Sequence, residues 1–228
     1  VQYAYDALNR RVAETVDPGT GKLNLITRYA YDANDNLVTR TDALGNLTRY
    51  AYDEAGRLRF VVDAAGALVE TVYDKNGNAV LTREYAKALS AGALAALAAA
   101  PTTGALQALV TSESLLNNAA DRLGYQVFDR DNRVRFTLDA AGSLAETRYD
   151  SAGRVQQSLA YGAAFTTTTV LTKLRAGTAA VSDFTGFASA NESAARASQY
   201  VYDAAGRMVY ALTRSDAGAM VSERRYDA

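Results

Sequence analysis

A Tyr-Asp pair recurs along this chain at intervals that no catalytic site requires. It stands at Tyr5, Tyr31, Tyr52, Tyr73, Tyr149, Tyr202 and Tyr226, and Phe128-Asp129 fills an eighth slot. Tyr31, Tyr52 and Tyr73 are 21 residues apart, as are Phe128 and Tyr149. A fixed period of this length marks one supersecondary unit stacked on copies of itself. Each pair opens an Asp-x-x-Gly tetrad, as in Asp53 to Gly56, Asp74 to Gly77, Asp150 to Gly153 and Asp203 to Gly206. Backbone chemistry explains the pattern. An Asp at the first position of a type I turn accepts hydrogen bonds from the turn amides. The fourth residue then enters the left-handed region to form the G1 bulge of a hairpin. Glycine does this at no steric cost, Asn and Asp at little. Where the fourth residue is not Gly it is Asn9, Asp35 or Asn132.

Turns of a second kind lie between the pairs: "DALG" at 42–45, and "DAAG" from Asp63 to Gly66 and from Asp139 to Gly142. A turn signal therefore arrives every 10 or 11 residues. The segments between are rich in Val, Thr, Tyr and Phe, which predicts a long antiparallel meander. "DPGTG" at 17–21 reads as a slightly longer turn, whereas "DRLG" at 121–124 and "DFTG" at 183–186 match the tetrad off the regular spacing. In "RLRFVV", Leu58, Phe60 and Val62 alternate with Arg57 and Arg59, so the two sets face opposite ways. In "LTRYAY", Thr48, Tyr50 and Tyr52 share a face. Neighbouring hairpins are expected to stack Tyr31, Tyr50, Tyr52, Tyr73, Phe128, Tyr149 and Tyr202 into cross-strand aromatic pairs that hold the sheet together. The alternative use of such rings is a stacking surface for sugars or peptides.

A longer period overlies the first. Tyr52, Phe128 and Tyr202 are 76 and 74 residues apart, and "RLRFVVDAAGALVETVYD" realigns with "RVRFTLDAAGSLAETRYD" and, more loosely, with "RMVYALTRSDAGAMVSERRYD". The first two units each end in a Tyr, at Tyr85 and Tyr161, and an insertion follows at 87–124 and 162–199. The first insertion is Ala- and Leu-rich. It predicts a short helix stopped by Pro101, then a second helix with Leu106, Leu109, Val110, Leu116, Ala120 and Leu123 at helical spacing. The apolar side of this helical hairpin is expected to pack on the sheet. In the second insertion "TTTTVLTKLRAG" fits helix or strand, and Ser189 with Glu192 forms a capping-box pattern that predicts a helix start.

Composition narrows the function. Histidine and cysteine are both absent. That excludes Ser-His-Asp and Cys-His centres, zinc-thiolate sites and disulfides within these residues. Net charge is -1 with no basic stripe, so nucleic acid has no electrostatic footprint. No apolar run reaches the ~18 residues of a membrane helix, so no membrane insertion is expected. Asp32, Asn34 and Asn36, like Asp74, Asn76 and Asn78, resemble the start of a calcium loop. Such a loop wants Gly at its sixth position and Glu at its twelfth. Leu37 and Ala43, then Ala79 and Tyr85, stand there instead, so turn chemistry is the better reading. Every repeat Asp has a turn role, which argues against paired carboxylates for glycoside hydrolysis. No catalytic, metal or cofactor residue is assigned. The sequons at 46–48 and 191–193 are read as chance. The chain opens and closes inside a repeat, which suggests a fragment of a longer array.

"YAYDEAGRLRFVVDAAGALVETVYD" and "YVYDAAGRMVY" resemble the YD repeat of the bacterial Rhs family. The match covers nearly all of the chain outside the insertions, with eight slots in register. "AADRLGYQVFDRDNRVRF" also resembles the segments that return into the next repeat in Rhs arrays with helical insertions. The family includes polymorphic toxins and toxin-complex components, and teneurins carry a related shell. The resemblance implies a β-ribbon that spirals into a hollow shell, often around a toxin, in a secreted or bacterial cell-surface protein. Closing such a shell takes many more repeats than are present here.

The expected fold class is therefore mainly β: a curled antiparallel β-sheet of YD-repeat hairpins, Rhs shell-like, as a single array over 1–228 with two partly helical insertions. The expected function is structural, a shell wall that encloses or displays a toxin or effector domain, with no enzyme activity. The expected partners are further repeats of the same parent chain, an encapsulated toxin domain and surface glycan, the last belonging to the alternative of an adhesin or carbohydrate-binding stalk.

Overall fold

The computed structural model describes residues 1–117, 119–215 and 218–226; Asp227, which completes the last Tyr-Asp pair, lies outside the described residues. Fifteen strands follow one another in chain order, and the pairings are antiparallel, so the fold class is the mainly β meander expected from the turn spacing. The chain divides into two compact units, residues 1–71 with 83–122, and residues 72–82 with 123–228.

The first unit begins with β1 (Gln2–Tyr5), β2 (Arg11–Val16), β3 (Leu25–Tyr31), β4 (Leu37–Thr41), β5 (Leu47–Tyr52), β6 (Leu58–Val62) and β7 (Leu68–Tyr73). The long turn at 17–24 joins β2 to β3, with Asp17 and Asn24 both at positive φ. β8 (Ala79–Glu84) leads into the first insertion, which holds α1 (Ala91–Ala96) and α2 (Thr103–Ser112). Ser90 and Thr102 cap these helices by accepting from Ala93 and Ala105 backbone N–H groups. Leu106 and Val110 of α2 bury against Ala51, Phe60, Val62 and Leu68 of the sheet. The insertion departs from its sequence pattern in two ways. α1 ends at Ala96, before Pro101, and α2 ends at Ser112. Leu115 rather than Leu116 is buried, and Leu123 belongs to the next strand. Ser114 at φ 49 turns the chain out of helical phase, and a periodicity drawn across it has no physical basis.

The second unit continues with β9 (Arg122–Phe128), β10 (Val134–Asp139), β11 (Leu144–Tyr149) and β12 (Val155–Ala160). α3 (Thr168–Arg175) and α4 (Thr185–Asn191) follow, then β13 (Arg196–Tyr202), β14 (Met208–Ser215) and β15 (Gly218–Glu223). Val170 and Leu174 of α3 and Ala188 of α4 cover Phe136, Leu138 and Leu144. Phe184 stacks on Phe136 with ring centroids 5.0 Å apart. Ser189 lies inside α4 and Glu192 pairs with Arg148, so the capping box expected there does not form. The two off-register tetrads are not turns either. Asp121 is a buried ion-pair partner, Gly124 lies in β9 and Gly186 lies in α4.

The two kinds of turn differ in the register of the strands they join. At the Tyr-Asp turns the ladder slips by one residue: Tyr52 pairs with Leu58 while Ala51 pairs with Phe60, leaving Arg59 opposite nothing. Arg135 is left over in the same way between Val134 and Phe136. Such a bulge bends the strand and re-aims the extra side chain. This overturns the strict alternation read from "RLRFVV", because Arg59 reaches the carboxylate of Glu70, which sits opposite the core residue Phe60.

Candidate functional site

Each described Tyr-Asp turn is a small closed circuit. Asp53 Oδ1 accepts the backbone N–H of Ala55 at 3.0 Å and of Arg57 at 2.9 Å, and its Oδ2 accepts Arg57 Nε at 2.8 Å. Gly56 closes the turn at φ 72. Asp150 with Arg154 and Asp203 with Arg207 repeat the pattern, with Gly153 and Gly206 at φ 81 and 80. These bonds hold the Asp150 and Asp203 carboxyls below the usual aspartate range. For Asp150 the largest cause is the Arg154 backbone N–H, and for Asp203 it is the Arg207 guanidinium. Where Asn follows the tetrad its side-chain amide substitutes, as in Asn36 to Asp32 and Asn78 to Asp74, at 3.0 and 2.9 Å. This is what the calcium-like Asn residues do. Gly77 has φ 88, while Asp63 and Asp139 accept turn amides in the same way, with Gly66 and Gly142 at φ 82 and 84.

The turns are then clasped to one another. Tyr149 Oη donates to the carbonyl of Val134 at 2.9 Å, Tyr202 to that of Val155 at 2.8 Å, and Tyr226 to that of Met208 at 2.8 Å. Tyr31 and Tyr52 reach Arg11 and Leu37 carbonyls in the same manner. The arginine that closes one turn lies over the ring of the next tyrosine: Arg10 over Tyr31 at 4.9 Å, Arg133 over Tyr149 at 4.4 Å, Arg154 over Tyr202 at 4.6 Å. The expected tyrosine–tyrosine stacks are thus replaced by a Tyr–Arg–Asp chain. Among the described residues the ring–ring contacts involve Tyr161 and four phenylalanines of the second unit. Tyr50 sits in β5 opposite Val61, and Tyr73 ends β7. At Phe128, which lacks a hydroxyl, Asn132 Oδ1 of the following turn instead accepts Asn76 and Asn78 side-chain amides, each at 3.0 Å.

The sequence reading missed a second constellation, present twice. In the first unit Glu70, buried, accepts Tyr85 Oη at 2.7 Å and Arg59 Nη2 at 2.6 Å. Arg83, beside it, binds Asp121 Oδ2 at 2.8 Å, and Asp121 Oδ1 accepts the Ala86 N–H at 3.0 Å. In the second unit Glu146 is bound by Tyr161, Arg135 and Arg148, and Arg148 also grips Glu192 at 2.6 and 3.0 Å. The logic is the same in both. A tyrosine where the insertion begins and an acidic residue where it ends are tied, through arginines, to one buried glutamate of the sheet. Two carboxylates meet two guanidiniums in each, which neutralises charge that burial would otherwise penalise heavily. Burial, aided by the neighbouring glutamate, pushes the Tyr85 and Tyr161 hydroxyls well above the ordinary tyrosine value. Backbone bonds finish the anchor: Leu89 N–H to the Gly66 carbonyl at 2.9 Å, and Phe165 N–H to the Gly142 carbonyl at 2.8 Å. The one sequence signal was the spacing, since each tyrosine follows its glutamate by 15 residues.

Residues 31–79 match the family model described as RHS Repeat. That stretch, rather than the whole chain, carries the RHS-repeat match. The matched stretch runs from the clasped Tyr31 to the strand that enters the first insertion. No curated protein matches the chain. Among solved structures, a crystal structure of TcdB2-TccC3-TEV is similar at 15% identity and TM-score 0.39, over 99% of this chain and 12% of that one. TcdB2-TccC3 without its hypervariable C-terminal region gives 14% and 0.39 with the same coverage. A Photorhabdus luminescens Tc holotoxin pore gives 15% and 0.39, again over 12% of its length. This chain spans about an eighth of the length of the chains it resembles. No helix among its described residues is long and apolar enough to cross a membrane, and none of its described acidic side chains cluster as a metal site.

Proposed function

We propose that this RHS-repeat chain is a structural wall segment of a larger secreted or cell-surface protein, and that the wall encloses or displays a toxin or effector domain. The observation that carries this reading is the clasp. Tyr202 reaches the Val155 carbonyl across a gap of 47 residues that contains the whole second insertion. The repeat thus keeps its register through an interruption, as a continuous wall must and an isolated binding loop need not. We read 1–228 as one array, with 87–124 and 162–199 as insertions anchored by the buried glutamates. Asp53, Gly56, Asp63, Gly66, Asp74, Gly77, Asp139, Gly142, Asp150, Gly153, Asp203 and Gly206 serve as turn residues, and the repeat aromatics serve as rungs. No residue has a catalytic role in this reading. The arginine-covered faces of Tyr31, Tyr149 and Tyr202 also favour it over sugar stacking, because the ring faces are already in use. Limited proteolysis of the parent protein with intact-mass readout tests it. A further domain that stays trapped and protected until the repeats are unfolded fits a wall that encloses. A parent protein whose flanking regions are simply trimmed, with nothing retained, contradicts enclosure.

A further inference from the structure

Three hairpins occupy the same phase of the long period, and their registers agree. Phe60 faces Glu70 and Val62 faces Leu68 in β6–β7; Phe136 faces Glu146 and Leu138 faces Leu144 in β10–β11; Tyr210 faces Glu223 and Leu212 faces Val221 in β14–β15. The first two sets of apolar positions are sealed, Phe60, Val62 and Leu68 at 0–1% exposure and Phe136, Leu138 and Leu144 at 1–3%. The third set is open: Tyr210 is 39% exposed, Leu212 36% and Val221 60%. Each sealed face is covered by chain that comes after it in sequence, entering through a tyrosine 15 residues after the glutamate and a bulky apolar residue, Leu89 or Phe165, four residues later. The cover over β10–β11 reaches Arg214 of β14, whose Nη2 donates to the carbonyls of Glu192, Ser193 and Ala195 at 3.2–3.4 Å, but it does not bury Leu212 or Val221. It leaves a cleft of about 590 Å³ between Ser189, Glu192 and Ser193 on one side and Leu212 and Val221 on the other. Glu223 already carries the start of a junction, with Arg225 at 3.2 Å and the Tyr210 hydroxyl at 3.4 Å. Arg225 stands to it as Arg148 stands to Glu146.

We propose that the exposed face of β14–β15 is a docking surface for a third cap, supplied by the stretch of the parent array that continues beyond Glu223. This inference rests on the reading of the chain as part of a longer array. The cap carries a tyrosine fifteen residues after Glu223 and a large apolar residue nineteen after it, followed by a short apolar helix that lies across Leu212 and Val221. A contiguous apolar strand face with a half-built ion pair at its rim is a surface that a partner desolvates. Its continuity with the sealed face beside it fixes the side from which the cap approaches. One departure is expected at the hairpin tip, because β14 and β15 pair on as far as Ser215 and Gly218, so the backbone anchor made at Gly66 and Gly142 shifts along β15.

The chain has no cysteine, so single thiols report on this face cleanly. Leu212→Cys and Val221→Cys are made in the 228-residue chain and in the parent protein, with the exposed Leu44→Cys as control. Rates of reaction with a small thiol reagent are measured, together with hydrogen exchange of the β15 amides. Labelling at both positions about 100-fold or more slower in the parent, with Leu44→Cys fast in both, is the expected result. Equal rates in the two proteins overturn the proposal. Protection that already appears in the 228-residue chain and grows with its concentration also overturns it, and assigns the face to a second copy. Protected β15 amides with fast thiols would show an array that continues without a cap: the inference fails and the wall reading stands. If the amides exchange freely as well, both fail.

Discussion

Gly142 and Gly45 share a backbone conformation and differ in surroundings, so replacing each by alanine separates two effects that are usually confounded. Both lie at φ 84. An added Cβ at Gly45 meets nothing within 4 Å, whereas at Gly142 it meets the carbonyl oxygen of Phe165 at 3.0 Å and its nitrogen at 3.3 Å. Alanine at positive φ costs about 1–2 kcal/mol at either site. At Gly142 the segment holding Phe165 must also move. That weakens the Phe165 N–H bond to the Gly142 carbonyl, about 0.5–1.5 kcal/mol. It also disturbs Phe165, which is 2% exposed with rings of Phe184 and Phe187 at 5.0 and 5.1 Å. Repacking there adds about 1–3 kcal/mol. Gly142→Ala is therefore expected to be less stable than Gly45→Ala by about 1.5–4.5 kcal/mol. Gly66→Ala should repeat the result, because its Cβ would meet the Leu89 carbonyl oxygen at 3.0 Å. Urea unfolding followed by far-ultraviolet circular dichroism measures the three. Equal losses for Gly142→Ala and Gly45→Ala would refute the claim that the glycine is needed for close approach as well as for its turn.

The junctions and the clasp make further outcomes testable. Tyr161→Phe removes a donor from the buried Glu146 and should cost about 1–3 kcal/mol in urea unfolding; a loss below about 0.5 kcal/mol would mean the glutamate is satisfied without it. Tyr149→Phe removes one clasp bond while keeping the ring under Arg133, so about 0.5–1.5 kcal/mol is expected, and a loss as large as that of Tyr161→Phe would contradict the distinction. The lowered carboxyls of Asp6, Asp32, Asp42, Asp150 and Asp203 contribute stability that is complete above the ordinary value of 3.8 and is lost as pH falls below it through their folded-state values. Thermal midpoints should therefore drop below pH 3.8, and a flat profile there would contradict the turn bonds. Tyr85 and Tyr161 are shifted the other way, so their contribution is intact below the ordinary 10.0 and is lost as pH rises beyond it. Absorbance titration should show Tyr85 and Tyr161 ionising late and together with loss of β structure; their ionisation near 10.0 with the sheet intact would exclude the buried junctions.

The turns, the strands and their order were legible in the sequence because each depends on residues within four or five positions of one another. An Asp that accepts its own turn amides and a Gly that takes positive φ need no distant partner, and the even spacing then leaves a meander as the simplest connection. The helical insertions were legible as composition, and the match to the RHS repeat was carried by the same turns. What the tyrosines do was not legible. Tyr149 and Tyr202 look like rungs of an aromatic stack on alternation alone, yet the arginine that closes the preceding turn lies over each ring. Glu70 and Glu146 read as ordinary charges on half-exposed strands. They are buried because each insertion folds back over them, bringing Tyr85 with Asp121, or Tyr161 with Glu192, to one point. Those partners lie 15 to 51 residues away along the chain, so sequence proximity carries no trace of them. Local hydrogen bonding thus sets the repeat, while the burial of charge, which depends on what covers the sheet, is decided by the tertiary structure.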